Sequence, residues 1–238
     1  MVNFVICIVL VALAFDFING FHDSANSIAT IVGTRVLSPL AAVIWAAVFN
    51  FSALFFVGTA VAKSVAAGFI DLNVVDANVI LGGLLGAITW NLITWWFGIP
   101  SSSSHALIGG YAGAAVSKVG FVALLWGKKW IETLSAIALS PSLGMLLGFI
   151  LMVLVYNVFQ KVTSAKADKF FRVAQLTSSA LLSLAHGGND AQKTMGIIVG
   201  LLVATQATFA GETGLLRHMY VTSLDSIPVW VELSAYTM

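Results

Sequence analysis

Gly20-Phe21-His22-Asp23-Ser24-Ala25-Asn26 and Gly187-Gly188-Asn189-Asp190-Ala191-Gln192-Lys193 are two polar segments set inside long apolar runs. Each places ionisable residues where lipid is expected. An Asp or Lys at the centre of a bilayer costs roughly 2.5–3.5 kcal/mol, so Asp23, Asp190 and Lys193 together call for about 8–10 kcal/mol of compensation. A cost of that size points to function. Around the two segments, 59% of the chain is hydrophobic and 9% charged, with a mean hydropathy of +0.99. Soluble domains carry about a quarter charged residues, so the chain reads as an integral membrane protein. The net charge of +1 and the lack of a basic stripe exclude nucleic acid as a partner.

Apolar stretches long enough to cross about 30 Å of hydrocarbon fall near residues 2–19, 37–62, 78–97, 141–159 and 174–207, with a Gly- and Ala-rich run at 105–126. Backbone in lipid must satisfy its own hydrogen bonds, and no alternating pattern of about ten residues recurs, so the class is all-α rather than barrel. Met1-Val2-Asn3 lacks the basic start of a signal peptide, and the first helix is expected to be retained. A lone Cys7 excludes an internal disulfide.

The two polar segments predict broken helices over 2–33 and 174–207. At an offset of 167 residues, Gly20, Asp23 and Ile31-Val32-Gly33 match Gly187, Asp190 and Ile198-Val199-Gly200. Interrupted helices at corresponding places of two halves are the pattern of an inverted-repeat transporter. Between them, Gly98-Ile99-Pro100-Ser101-Ser102-Ser103-Ser104-His105 supplies a proline suited to a helix start and serines suited to capping one. A re-entrant hairpin near 98–117 is expected. The organisation reads as a first transmembrane repeat at 1–159, a basic loop at 160–172 holding Lys161, Lys166, Lys169 and Arg172, and the start of a second repeat at 173–238. That second repeat is expected to be incomplete.

Helix N-termini entering the membrane present unpaired N–H groups and the positive end of the helix dipole, and the hydroxyls of Ser101, Ser102, Ser103 and Ser104 add donors. An anion suits such a place. Lys193 supplies a full positive charge, whereas Asp23 and Asp190 repel an anion unless a cation or proton accompanies it. That is the electrostatic logic of symport. The competing readings are structural: Asp23 and Asp190 as caps or packing partners of Lys193, Lys193 as a snorkelling side chain, and the serines as a plain capped turn. His22, His105 and His186 adjoin the polar segments and suit either a proton relay or helix-end carbonyls. Asp16 stands between ion pathway and cap, while Asn50, Asn91 and Thr94 suit interhelical hydrogen bonds. Ser104, His105 and Asp23 contain the residue types of a hydrolase, but neighbours on a helix diverge and no Gly-x-Ser-x-Gly elbow is present. An enzyme is therefore not expected.

Together with Pro100-Ser101-Ser102-Ser103-Ser104-His105 and His186-Gly187-Gly188, these segments resemble the signatures of the inorganic phosphate transporter (PiT) family, in order and spacing along the whole chain. The resemblance implies a symporter of inorganic phosphate, driven by H⁺ or Na⁺, in a homodimer. By position it assigns Asp23, Asn26, Ser101, Ser102, Ser103, Ser104, Asp190 and Lys193 to phosphate, and Asp23, Asn26, Asn189 and Asp190 to the coupling ion. No cofactor and no resident metal are implied. Gln192-Lys193 is similar to the bacterial branch associated with proton coupling and metal–phosphate complexes, which leaves a sodium site open. Family members continue into a second Pro-Ser-Thr-Thr-His-like hairpin that this chain lacks, so the 238 residues are expected not to transport alone. The reading is a multi-pass protein of a bacterial inner membrane, in contact with lipid. A sulfate permease of the same superfamily, or a channel-like or non-transporting membrane subunit, is the alternative.

Overall fold

Four helices come together around the polar segments, and a computed structural model describes them with the backbone of residues 1–238 and the side chains of all but 64, 66 and 67. In chain order the α-helices among the described residues are α1 (Val2–Gly33), α2 (Pro39–Ser52), α3 (Ala60–Ala67), α4 (Ala77–Trp96), α5 (Ser103–Val119), α6 (Lys128–Phe159), α7 (Ser164–Ala204) and α8 (Val229–Thr237). Three of them, α1, α4 and α6, are long and apolar enough to cross a membrane. None of the residues of α6 is buried, although it is apolar throughout, which is the profile of a helix surrounded by lipid.

Local chemistry sets several boundaries. Ser38 caps α2 with its hydroxyl accepting from Ala41 N at 3.4 Å, and Pro39 occupies the first turn. Asp76 caps α4, accepting from Val79 N at 2.9 Å. The Pro–Ser run behaves as its composition predicts: Ser102 accepts from His105 N at 3.3 Å, and α5 begins at Ser103. Between α4 and α5 the chain turns at Gly98, whose φ of +63° is open to glycine at little cost. The two helices then pack with backbones in contact, since a Cβ on Gly83 would stand 2.9 Å from Tyr111 Cα. This hairpin turns beside Phe21, whose ring lies 5.2 Å from that of Trp95. Phe21 is twelve residues before the end of α1, so the turn stops about 18 Å short of it.

The expected breaks at 2–33 and 174–207 are not present. Helices α1 and α7 run unbroken through Gly20 and Gly187-Gly188. Close approach explains the two α7 glycines: a Cβ at Gly187 would stand 2.6 Å from Asn50 Cα, and one at Gly188 2.8 Å from Val57 Cγ2. They let α2 and the segment after it lie against α7, and Gly196 does the same against Ala62. The helix from Ala191 to Leu202 is consequently buried on every side.

A break does occur where none was expected, inside the apolar run 37–62. Helix α2 ends at Ser52, a 3-10 turn covers Ala53–Phe55, and α3 starts at Ala60. Gln192 of α7 holds the new start, its Oε1 accepting from Val61 N at 2.8 Å and Ala62 N at 3.3 Å. The expected basic loop at 160–172 is also mostly helix. Residues 164–172 form the first turns of α7, supported by Arg172 bonding Asp168 four residues earlier at 2.8 Å.

Candidate functional site

Asp23 on α1 and Lys193 on α7 meet at Ser103, the first residue of α5, and Lys193 brings Asp190 with it. Ser103, 2% exposed, donates its hydroxyl to Asp23 Oδ2 at 3.2 Å and accepts from Lys193 Nζ at 3.3 Å. Lys193 also donates to Asp190 Oδ1 at 2.7 Å. One hydroxyl thus ties together three elements that are 80 and 90 residues apart in sequence. The arrangement follows from helical spacing: Asp190 and Lys193 are one turn apart on α7, and the Pro–Ser turn starts α5 with Ser103 beside both.

Two histidines extend the cluster. His22 Nδ1 lies 3.3 Å from Asp23 Oδ1, and His186 Nε2 lies 2.9 Å from Asp190 Oδ2. Asp23, His186 and Asp190 each offer a ligand atom, all within 4.8 Å of one another, so this trio has the chemistry and spacing to hold a metal cation. With the histidines neutral, the two carboxylates and Lys193 leave one net negative charge. An anion alone is repelled by such a cluster, and an anion with a cation is not.

The remaining candidates from the sequence sit less centrally. Asn26 is exposed and reaches Asp23 Oδ1 only at 3.5 Å. Asn189 is exposed and donates to Ala185 O of its own helix at 3.0 Å, turned from Asp190 by one residue of helical rotation. The Ser101 hydroxyl accepts from Trp90 Nε1 at 3.0 Å, and that of Ser102 caps α5. Ser104 is half-buried and His105 exposed. The cluster therefore gathers Asp23, Ser103, Asp190, Lys193, His22 and His186, with Asn26 at its edge.

Beside it lies a cavity of about 260 Å³ whose lining includes Asp16, Asn19, Asn50, His186, Asp190 and Tyr236. Asp16 is not a cap, because it stands in the middle of α1. Asn50 reaches the cavity from α2 through the Gly187 crossing, which sequence spacing alone does not reveal.

Residues 19–238 match the sequence model of a family described as the Phosphate transporter family. The chain is 54% identical, over 95% of its length, to a probable low-affinity inorganic phosphate transporter of Rhizobium meliloti, and covers 64% of that protein. It is 48% identical, over 98% of its length, to a protein of the same description from Bacillus subtilis, covering 66% of it. The chain thus spans less than two thirds of the length of these relatives. A solved structure described as the sodium-dependent phosphate transporter superposes with a TM-score of 0.66, over 99% of this chain and 73% of that one, at 17% identity. At that identity the likeness is one of fold. With its apolar helices, the chain is a multi-pass membrane protein.

Proposed function

Because this chain belongs to the phosphate transporter family, we propose that it works as a secondary active symporter, moving inorganic phosphate across a bacterial inner membrane with H⁺ or Na⁺. The family is one of transporters, so the hydrolase reading falls. The observation that carries the proposal is the Ser103 hydroxyl joining Asp23 of α1 to Lys193 of α7.

On this reading, phosphate enters at the start of α5, where Ser103, Lys193 and the free N–H groups of the first turn supply donors. The phosphate oxygens compete with Asp190 for Lys193. Asp23 and Asp190 take up the driving cation or proton, with Asn26 at the edge, and the anion binds only once their charge is met. Coupling follows, because neither solute binds well alone. His22 and His186 are placed to pass a proton to the two carboxylates. A divalent ion seated by Asp23, His186 and Asp190 would let phosphate enter as a neutral metal–phosphate complex, with the metal as cargo. A homodimer and two inverted repeats, the second begun at 173–238, complete the proposal.

The test is uptake of radiolabelled phosphate into vesicles by the chain completed with the segments its Rhizobium meliloti relative has beyond the matched region. Gradients of pH and of Na⁺ are imposed separately. Uptake that follows one of them supports symport. Uptake indifferent to both argues for a channel, and uptake of sulfate in place of phosphate argues for a permease.

A further inference from the structure

Away from the Ser103 cluster, one face of α7 joins unmatched positive charge to unpartnered apolar surface. Lys63, Lys118, Lys128, Lys129 and Lys193 each lie within 3.6 Å of an acid. Lys161, Lys166 and Lys169 are exposed and have no ion pair among the described residues. Asp168, beside them in sequence, is engaged by Arg172 at 2.8 Å. Lys166 and Lys169 also stand in the first two turns of α7, at the end of the helix dipole that disfavours cations.

From these lysines the same face continues as a groove of about 840 Å³, lined among others by Phe170, Val173, Thr177 and Leu181. Positions three and four apart fall on one side of a helix, so the groove is a single stripe along α7. Phe170, Val173 and Leu181 are 55%, 63% and 65% exposed. Helix α1 lies against another face of α7, where Thr34 Oγ1 donates to Gln175 Oε1 at 2.8 Å and Ser179 Oγ to Ser27 O at 3.0 Å. The stripe therefore looks away from the bundle. Lys169 and Leu181 are twelve residues apart, about 18 Å of helix, which is close to one leaflet of a hydrocarbon core about 30 Å thick.

We infer that this stripe is a binding site for an anionic phospholipid, with the phosphate between Lys166 and Lys169 and an acyl chain along Phe170, Val173, Thr177 and Leu181. The charge sits at one end only and apolar surface follows for the depth of one leaflet, which is the polarity and the length of a single lipid. Lys161 adds a positive charge at the same end, since it follows by two residues Phe159, whose ring lies 5.1 Å from that of Phe170. A free phosphate ion uses the lysines and leaves the apolar stripe without a part. A zwitterionic lipid brings its own cation to the lysines, and a second copy of this face brings the same lysines together, so both are disfavoured by like charge. The inference requires only that the chain resides in a membrane, and it is independent of the solute carried.

Binding of fluorescent phosphatidylglycerol to the purified 238-residue chain in detergent tests it, against phosphatidylcholine of the same acyl chains. Saturable binding that favours phosphatidylglycerol about tenfold or more, and that weakens as salt is raised, is expected. Lys166→Gln with Lys169→Gln is expected to remove that preference, and Lys128→Gln with Lys129→Gln to leave it unchanged. Leu181→Gln reads the tail end of the groove and is expected to weaken both lipids alike. All of these positions are exposed, so the fold is expected to survive, with melting temperature as the check. Equal binding of the two lipids by wild-type protein, or a preference that persists without Lys166 and Lys169, overturns the inference. Displacement of the lipid by inorganic phosphate at equal concentration gives the lysines to the free ion, and loss of the preference in the completed chain gives the stripe to its own later segments. Either result overturns it as well.

Discussion

Replacing Gln192 by Met tests how the break between α2 and α3 is held. Gln192 is 1% exposed. Its Oε1 accepts from Val61 N at 2.8 Å and Ala62 N at 3.3 Å, and its Nε2 donates to Gly188 O at 2.7 Å. Gln192→Met keeps the length of the side chain and removes the acceptor, so two N–H groups of the first turn of α3, that of Ala62 buried and that of Val61 half-buried, lose their partner. A stranded buried donor costs about 1–3 kcal/mol, and the longer of the two bonds lies at the weaker end, which gives a loss of about 2–4 kcal/mol. Gln192→Ala adds a cavity within the fully buried stretch of α7 and is expected to cost about 2 kcal/mol more. The assay is reversible unfolding in detergent, combined with hydrogen exchange across residues 57–67. Faster exchange at Val61 and Ala62 is expected to accompany the lower stability. A Met variant within about 0.5 kcal/mol of wild type, with exchange at those two amides unchanged, would refute the reasoning.

Gly187→Val should separate α2 from α7, because the new Cβ would stand 2.6 Å from Asn50 Cα and backbone cannot give way. A loss of about 3 kcal/mol or more is expected in the same unfolding assay, and unchanged stability would contradict the close crossing. Asp76→Ala removes the cap of α4 and is expected to cost about 1 kcal/mol at neutral pH. Burial works to raise the Asp76 carboxyl, but hydrogen bonds from Lys118 Nζ and Val79 N outweigh it and hold the carboxyl below its ordinary value. Its ionised form is therefore the stabilising one. The contribution is whole above about pH 4 and fades as pH falls through the lowered value, and Asp76→Asn is expected to flatten that acid dependence in a melting series. The effect is small, since Asp76 and Lys118 are 42% and 40% exposed.

Much of the site was legible because its residues carry their own local chemistry. A proline followed by serines starts a helix wherever it lies, and Ser102 and Ser103 took the cap and the first helical position accordingly. The acids and Lys193 were legible because charge inside an apolar run demands partners. The broken helices were misread because glycine has two uses. At Gly187 and Gly188 its missing side chain serves a crossing with α2, a tertiary fact that spacing along one helix cannot show. The break at 53–59 was hidden for the opposite reason. Its sequence, Ala53-Leu54-Phe55-Phe56-Val57-Gly58-Thr59, is as apolar as a span, and the acceptor for the next helix comes from Gln192, more than 130 residues on. Residues 160–172 were read as loop from their charge, yet Lys, Ala and Arg are good helix formers and the Asp168–Arg172 pair favours a helix. The cavity was legible only at Asp16, read as ion pathway or cap, since Asn50 was read as an interhelical hydrogen-bonding residue and the meeting of Asp16, Asn19 and Asn50 depends on how α1, α2 and α7 pack.

Equilibrium binding of radiolabelled phosphate to the completed chain, comparing wild type with Ser103→Ala, Lys193→Ala and His105→Ala, bears most directly on the cluster where α1, α5 and α7 meet. Affinity about tenfold or more weaker in the first two, with melting retained and His105→Ala unchanged, is the expected result. Equal phosphate affinity in Ser103→Ala and Lys193→Ala would place the anion elsewhere in the molecule.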